Sequence, residues 1–271
     1  MTATNQQLRL SLAKGAPPPP ANRVTTSGAF LWRAVLKIKH VPEQLFDVTA
    51  FPIVWLLMFT YLFGGAVVGS TDAYLQEVLP GVLVMTVVFI TMYTGLSLNR
   101  DIQKGIHDRF RTLPIWQPST LIGPLIADVV RYIVASTVMI TLGLFLGFRP
   151  EAGFGGTVAA VGLLLVFAFS LSWVWTSLGL VMRSETALTN VSMLILFPAT
   201  FISNVFVPPE TLPDWLEGFV AINPISHLAT AARGLMHGTD ASAEIAAVLG
   251  VSAALVAIFG PLTMVLYRRL K

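Results

Sequence analysis

Six stretches of the chain are almost wholly apolar over lengths close to or beyond that of a bilayer: Val48–Val68, Leu79–Leu98, Leu125–Gly147, Thr157–Met182, Ala187–Val207 and Ile245–Tyr267. A helix needs about 20 such residues to pass a hydrocarbon core of about 30 Å, and inside lipid it satisfies its own backbone hydrogen bonds. The alternating ten-residue segments of a membrane barrel are absent from the sequence. The pattern predicts an all-α integral membrane protein with six transmembrane helices.

A different pattern precedes the first stretch. From Ser27 to Phe46, Phe30, Leu31, Ala34, Val35, Ile38, Val41 and Leu45 recur at helical spacing, with Arg33, Lys37 and His40 on other faces. This predicts a helix lying in the membrane interface, with Phe30 and Trp32 in the acyl boundary and the cations toward anionic head groups. The first 26 residues hold Pro17 to Pro20 and few large apolar side chains, so residues 1–26 read as a flexible tail and 27–271 as the membrane domain. The first strongly apolar run starts too far from the N-terminus for a signal peptide.

Composition agrees with the bilayer as solvent. The chain of 271 residues is 55% apolar and 11% charged, with a mean hydropathy of +0.74. Soluble domains carry roughly 25% charged residues. The absence of Cys excludes disulfide frameworks, thiolate nucleophiles and Cys-ligated metal sites. If the N-terminus is cytoplasmic, 15 of the 17 Lys and Arg residues fall on the inner side, and only Arg149 and Arg233 fall outside. The outer segments hold eight acids instead. The positive-inside rule then places both termini in the cytoplasm.

The charged loop after the second stretch, RDIQKGIHDRFRTLPIWQP from Arg100 to Pro118, has its own periodicity. Ile102, Ile106, Phe110 and Leu113 share one helical face, while Asp101, Lys104, Asp108, Arg109 and Arg111 occupy the rest. A short amphipathic helix is expected, ended before Pro114 and weakened by about 1 kcal/mol at Gly105, so it needs a docking surface. A solvated loop that only sets topology fits the same composition.

On the outer side, Pro208 to Ala243 is too apolar for a plain loop. Two short helices fit: one capped by Thr211 with Pro213 in its first turn, then a break at Asn223-Pro224, then one from Pro224 to Met236 before Gly238. The second has 13 residues, about 20 Å at 1.5 Å each, too short to cross. A hairpin dipping into the outer leaflet is expected, although Trp215 alone would also fit an interfacial belt and Asn223-Pro224 a simple turn.

Few polar groups lie within the stretches. Asp128 and Arg131 are three residues apart on one helical face, so they are expected to pair and spare each other desolvation; a proton relay would need further deep acids, and none follows. Gly65 and Gly69, Gly143 and Gly147, and Gly234 and Gly238 have the G-x-x-x-G spacing that permits close helix approach, but span-end glycines are common. An apolar wall for an amphipathic cargo could use Phe59, Tyr61, Met92, Tyr93, Phe197 and Phe201, with Thr60, Thr94, Ser203 and Asn204 as polar points. Each taken singly also fits a lipid-facing or packing role.

The run LNRDIQKGIHDRFRTLPI, followed by ADVVRYIV, LGFRP and FISNVFVPPETLPDWLEGFVAINPISH, closely resembles the daunorubicin/doxorubicin-resistance permeases of the type 2 ABC transporter family. The resemblance implies a permease subunit that pairs with a second copy of itself or a related permease, and with two ATPase subunits. It implies export of an amphipathic drug or polyketide, with lipid, glycolipid or polysaccharide as the alternative cargo. Membrane lipids are expected as partners, and nucleic acid is not. By the same resemblance, the coupling helix to the ATPase falls on Ile102, Lys104, Gly105, Ile106, Asp108, Arg109, Phe110, Arg111 and Leu113. Leu212, Pro213, Trp215, Asn223 and Pro224 match the outer re-entrant gate. No Gly-Lys dipeptide occurs, so no G-x-x-x-x-G-K-[ST] phosphate cradle can form here; ATP and Mg are expected on the partner, with no cofactor or metal in this chain.

Two rivals are weaker. An intramembrane hydrolase would need a base at depth, but the four His, at 40, 107, 227 and 237, lie outside the spans, and neither H-E-x-x-H nor G-x-S-x-G occurs. A proton-driven secondary transporter would need acids beside broken helices. Pro52 and Pro198 are expected to interrupt spans without such acids.

Overall fold

The computed structural model describes residues 7, 22–40, 42–67, 69–106, 118–206 and 214–269. Among these are ten helices and no strand: α1 (Arg23–His40), α2 (Pro42–Val67), α3 (Thr71–Ile90), α4 (Met92–Gln103), α5 (Ser119–Leu146), α6 (Gly153–Val181), α7 (Glu185–Phe201), α8 (Asp214–Ile222), α9 (Pro224–His237) and α10 (Ser242–Arg269). Four segments are long and apolar enough to cross a membrane: the joined α3–α4, Thr71–Gln103, with α5, α6 and α10. The apolar part of α2, Pro52–Leu62, is shorter, and α7 has 17 residues. The chain is thus an all-helical, multi-pass membrane protein.

The helices start and stop for local reasons. Ser70 accepts from the Ala73 amide at 3.2 Å and Ser184 from the Ala187 amide at 3.1 Å, satisfying first-turn N–H groups; Asp72 and Glu185 add charges favoured by the helix dipole. Gly147 ends α5 and Gly238 ends α9, each with a left-handed backbone, and their amides return to Gly143 and Gly234. Two of the three G-x-x-x-G spacings therefore mark helix ends, because a C-terminal glycine naturally lies four residues after the carbonyl its amide closes on. In the third, Gly69 has φ +81°, just past the end of α2.

Gly143 is also a close helix approach, since a Cβ there would stand 1.9 Å from Leu79 Cδ1 of α3, and further close approaches lie outside these spacings. A Cβ on Gly95 of α4 would stand 2.3 Å from the Trp175 carbonyl oxygen of α6, and one on Gly123 of α5 would stand 2.5 Å from Phe30 of α1. α6 is central and packs against α4, α5, α9 and α10. The α3 side chains Leu79, Val82, Leu83, Val84 and Val87 are fully buried. Apolar exposure collects on outer faces, as with Ile126, Val130, Ile133 and Val134 of α5 and Ile258, Leu262 and Val265 of α10. Lipid tails are as apolar as these side chains, so helix association rests on close packing and polar contacts.

Several expectations from the sequence shift. The interfacial pattern 27–46 is divided: α1 starts at Arg23, inside the stretch read as tail, and Leu45 lies in α2, which opens at Pro42 because a first-turn residue needs no N–H partner. The second stretch starts at Thr71 and breaks at Thr91. Prolines lie within helices at Pro80, Pro124 and Pro261 as well as Pro52 and Pro198. The helical face drawn from Ile102 to Leu113 is not one helix: α4 ends at Gln103, and Lys104 and Gly105 form a turn with Gly105 at φ +64°, a conformation glycine adopts without a Cβ penalty.

Candidate functional site

The last turn of α4 is held on three sides. Asn99 donates through Nδ2 to the Gly179 and Met182 carbonyls at 2.9 and 2.7 Å, serving the otherwise unpaired C-terminal carbonyls of α6. Arg100 forks onto Glu185 of α7, with its Nε 3.0 Å from Oε2, and Gln103 donates to the Arg183 carbonyl at 2.8 Å. Arg33 of α1 reaches Asp101 at 3.2 Å. Ile102 packs beside the cluster of Leu121, Leu180 and Tyr267, while Lys104 is exposed and Gly105 and Ile106 are half-buried. Asp108, Arg109, Phe110, Arg111 and Leu113 lie outside the described residues. The end of α4 is thus tied to α1, α6 and α7.

One turn deeper, polar side chains cross the interior. The Thr91 hydroxyl donates to the Val88 carbonyl at 2.6 Å and accepts from Trp175 Nε1 at 2.8 Å. This fills the break between α3 and α4. Thr94 donates to Asp128, which pairs with Arg131 at 3.0 Å; both charged residues are about 95% buried. The Arg131 guanidinium also lies 5.7 Å from the Tyr93 ring centroid. Tyr132 and Ser172 share a hydrogen bond of 2.7 Å between α5 and α6. A lone charge in the interior is costly, so the carboxylate and the guanidinium each need the other.

At the other end of the bundle α8 and α9 are joined at Asn223, which makes three contacts. Its Oδ1 accepts from the Ile225 amide at 2.9 Å, capping α9, and its Nδ2 donates to the Ala199 and Ile202 carbonyls at 2.6 and 2.8 Å. Pro224 occupies the first position of α9. Arg233 of α9 donates to the Glu77, Asn204 and Val205 carbonyls at 2.9, 2.7 and 2.9 Å, and Asn204 donates to Thr230 at 2.7 Å. Asn223 and α9 are therefore fastened to α3 and to the end of α7. Leu212 and Pro213 lie outside the described residues, as does the Trp215 side chain.

Between α2, α3, α4 and α7 lies an apolar cavity of about 250 Å³, bordered among others by Pro52, Trp55, Thr86, Phe89, Tyr93 and Met193. Met92 also lines it. The other residues considered for a path are placed differently. Phe59 and Phe201 join Trp55 and Phe206 in an aromatic stack beside the cavity, and Phe197 stacks on Phe201 with 4.3 Å between centroids. Tyr61 is exposed on the outer face of α2, Thr94 serves Asp128, and Asn204 belongs to the fastening of α9. Sequence spacing missed Trp55, Met85, Thr86 and Phe89, because each looks like ordinary span composition until two helices face each other across a gap.

Residues 27–237 match the model of the ABC-2 type transporter family. The chain is 52% identical to the daunorubicin resistance ABC transporter permease protein DrrB1 of Streptomyces coeruleorubidus, over 98% of this chain and 94% of that one. It is 24% identical to a probable doxorubicin resistance ABC transporter permease, DrrC, of Mycobacterium tuberculosis, over 88% and 87% of the two chains. It is 26% identical to the probable multidrug ABC transporter permease YbhR of Escherichia coli, over 64% of this chain and 46% of the other. With packed apolar helices, polar fastenings at both ends and a family match over most of its length, the chain belongs to the ABC-2 type transporter family as a permease, not an ATPase.

Proposed function

We propose that this permease carries amphipathic compounds, of the drug or polyketide class, outward across a bacterial plasma membrane. The observation that carries the reading is the 52% identity, over nearly the whole of both chains, to a permease named for daunorubicin resistance. ATP and Mg are bound and used by separate ABC ATPase subunits, since this sequence has no phosphate cradle. The membrane domain works as a pair, either of two copies or with a related permease, in contact with lipid. Six crossings arise when α2 and α7 join the four longer segments, with both termini cytoplasmic, a reading the cation distribution supports.

In this reading the segment after Gly105 receives the ATPase, through Lys104, Asp108, Arg109 and Arg111 with Ile106, Phe110 and Leu113 as apolar anchors. The turn at Lys104–Gly105 and the ties of Asn99, Arg100, Asp101 and Gln103 support it, since they couple that point to α1, α6 and α7 at once. Asn223, Pro224 and Arg233 hold the outer hairpin as a gate element that moves with α3 and α7. The test is ATP-dependent uptake of daunorubicin into inverted vesicles carrying the permease with its ATPase, alongside co-purification of the two. Reversing Arg109 and Arg111 to Glu is expected to abolish co-purification and uptake while membrane insertion persists. Undiminished uptake would remove the coupling assignment, and absence of uptake by the unaltered pair would remove the cargo class.

A further inference from the structure

Among the described residues, the cavity between α2, α3, α4 and α7 is lined without any acidic or basic side chain. Its walls are the rings of Trp55, Phe89 and Tyr93, with the thioethers of Met85, Met92 and Met193 between them. Methionines adapt their shape to flat aromatic guests and make favourable sulfur–ring contacts. One polar point has a defined sense: Thr86 spends its proton on the Val82 carbonyl at 2.7 Å, so its oxygen can only accept a further hydrogen bond.

Charge is the discriminating feature. An aromatic-walled cavity can attract a cation, but here one face of Tyr93 already carries the Arg131 guanidinium at 5.7 Å, and Trp55 stacks on Phe59 at 5.3 Å. The buried acid nearby, Asp128, is engaged by Arg131 and Thr94. A cation entering this space would find no counter-ion among the described residues, and desolvating a lone charge within the bilayer costs more than one cation–π contact returns. At about 250 Å³ the space falls below the roughly 300 Å³ at which drug-sized pockets begin, so it suits one ring system and not a whole large amphiphile.

We infer that this cavity binds the uncharged, hydroxyl-bearing aromatic ring of an amphiphile, with the hydroxyl donating to Thr86, and rejects a cationic amine. The inference deepens the exporter reading and rests on it for its biological meaning. Its test measures binding without nucleotide or ATPase.

Tritiated 2-naphthol, 2-methylnaphthalene and trimethyl-naphthylammonium are titrated into the purified full chain in lipid nanodiscs, with protein-free nanodiscs subtracted. Saturable naphthol binding is expected, with the ammonium probe at least tenfold weaker. Thr86→Val is expected to weaken naphthol about fivefold while leaving methylnaphthalene unchanged, and Thr86→Ser to retain naphthol binding. Met193→Trp, which fills the space, is expected to remove binding of both neutral probes. Should Thr86→Val fail to fold, the unaltered chain still decides the charge question. Equal affinity for naphthol and the ammonium probe, or naphthol binding indifferent to both Thr86→Val and Met193→Trp, would overturn the inference. Selective naphthol binding without ATP-dependent drug uptake would instead defeat the exporter reading alone.

Discussion

Gly95 of α4 and Gly179 of α6 lie face to face, and a Cβ on Gly179 would stand 2.6 Å from the Gly95 carbonyl oxygen. Since a Cβ on Gly95 would in turn meet the Trp175 carbonyl, neither backbone can retreat unless the helices part. Gly95→Ala is expected to destabilise the fold by about 1–3 kcal/mol through overpacking, despite the helix propensity gained. Gly162→Ala, where nothing lies within 4 Å of the added carbon, should leave stability equal or higher. Thermal unfolding of the purified variants in one detergent checks both.

Breaking the buried pair between Asp128 and Arg131 should be costly. Either Asp128→Asn or Arg131→Met leaves one charge buried without its partner, an expected loss of about 3–5 kcal/mol; the double variant should recover much of it. Reversible unfolding in mixed micelles gives the cycle. Simple addition of the two losses would show that the pair is not the source.

Arg100 and Glu185 are about one-third exposed, so their pairing contributes only about 0.5–1 kcal/mol to stability. Its weight should appear in transport. Arg100→Glu alone is expected to lower ATP-dependent uptake severalfold with little change in unfolding temperature. Arg100→Glu with Glu185→Arg should restore much of it. A double reversal no better than the single one would place the role of Arg100 elsewhere.

The accepted and the donated hydrogen bonds of Asn223 can be separated. Asn223→Asp keeps an acceptor for the Ile225 amide but loses the donors to Ala199 and Ile202, whereas Asn223→Ala loses all three contacts. Each is expected to loosen the hairpin, Ala by about 1–2 kcal/mol more through the lost cap. Hydrogen exchange of the first turn of α9 reports the difference.

How much of this was legible in the sequence differs by element. The Asn223-Pro224 break and the second outer helix followed from local rules, since a capping side chain, a proline and a closing glycine each act within a few residues of backbone. The single helix drawn from Ile102 to Leu113 failed at Gly105, where apolar spacing outweighed the freedom of a glycine to turn. The small-residue spacings mix two roles, because the same four-residue interval serves a helix contact, as at Gly143 against Leu79, and a helix cap, as at Gly147 and Gly238.

By itself, the sequence determined that the chain is helical and membrane-embedded. Lipid offers the backbone no hydrogen-bonding partner, and composition and local spacing are enough to express that. Only the tertiary structure decided that Thr94 serves Asp128, that Arg33 meets Asp101, and that Trp55, Thr86 and Met193 border one space. Those contacts join residues distant along the chain, and in an interior apolar on every face of its helices no periodicity marks which face meets which neighbour.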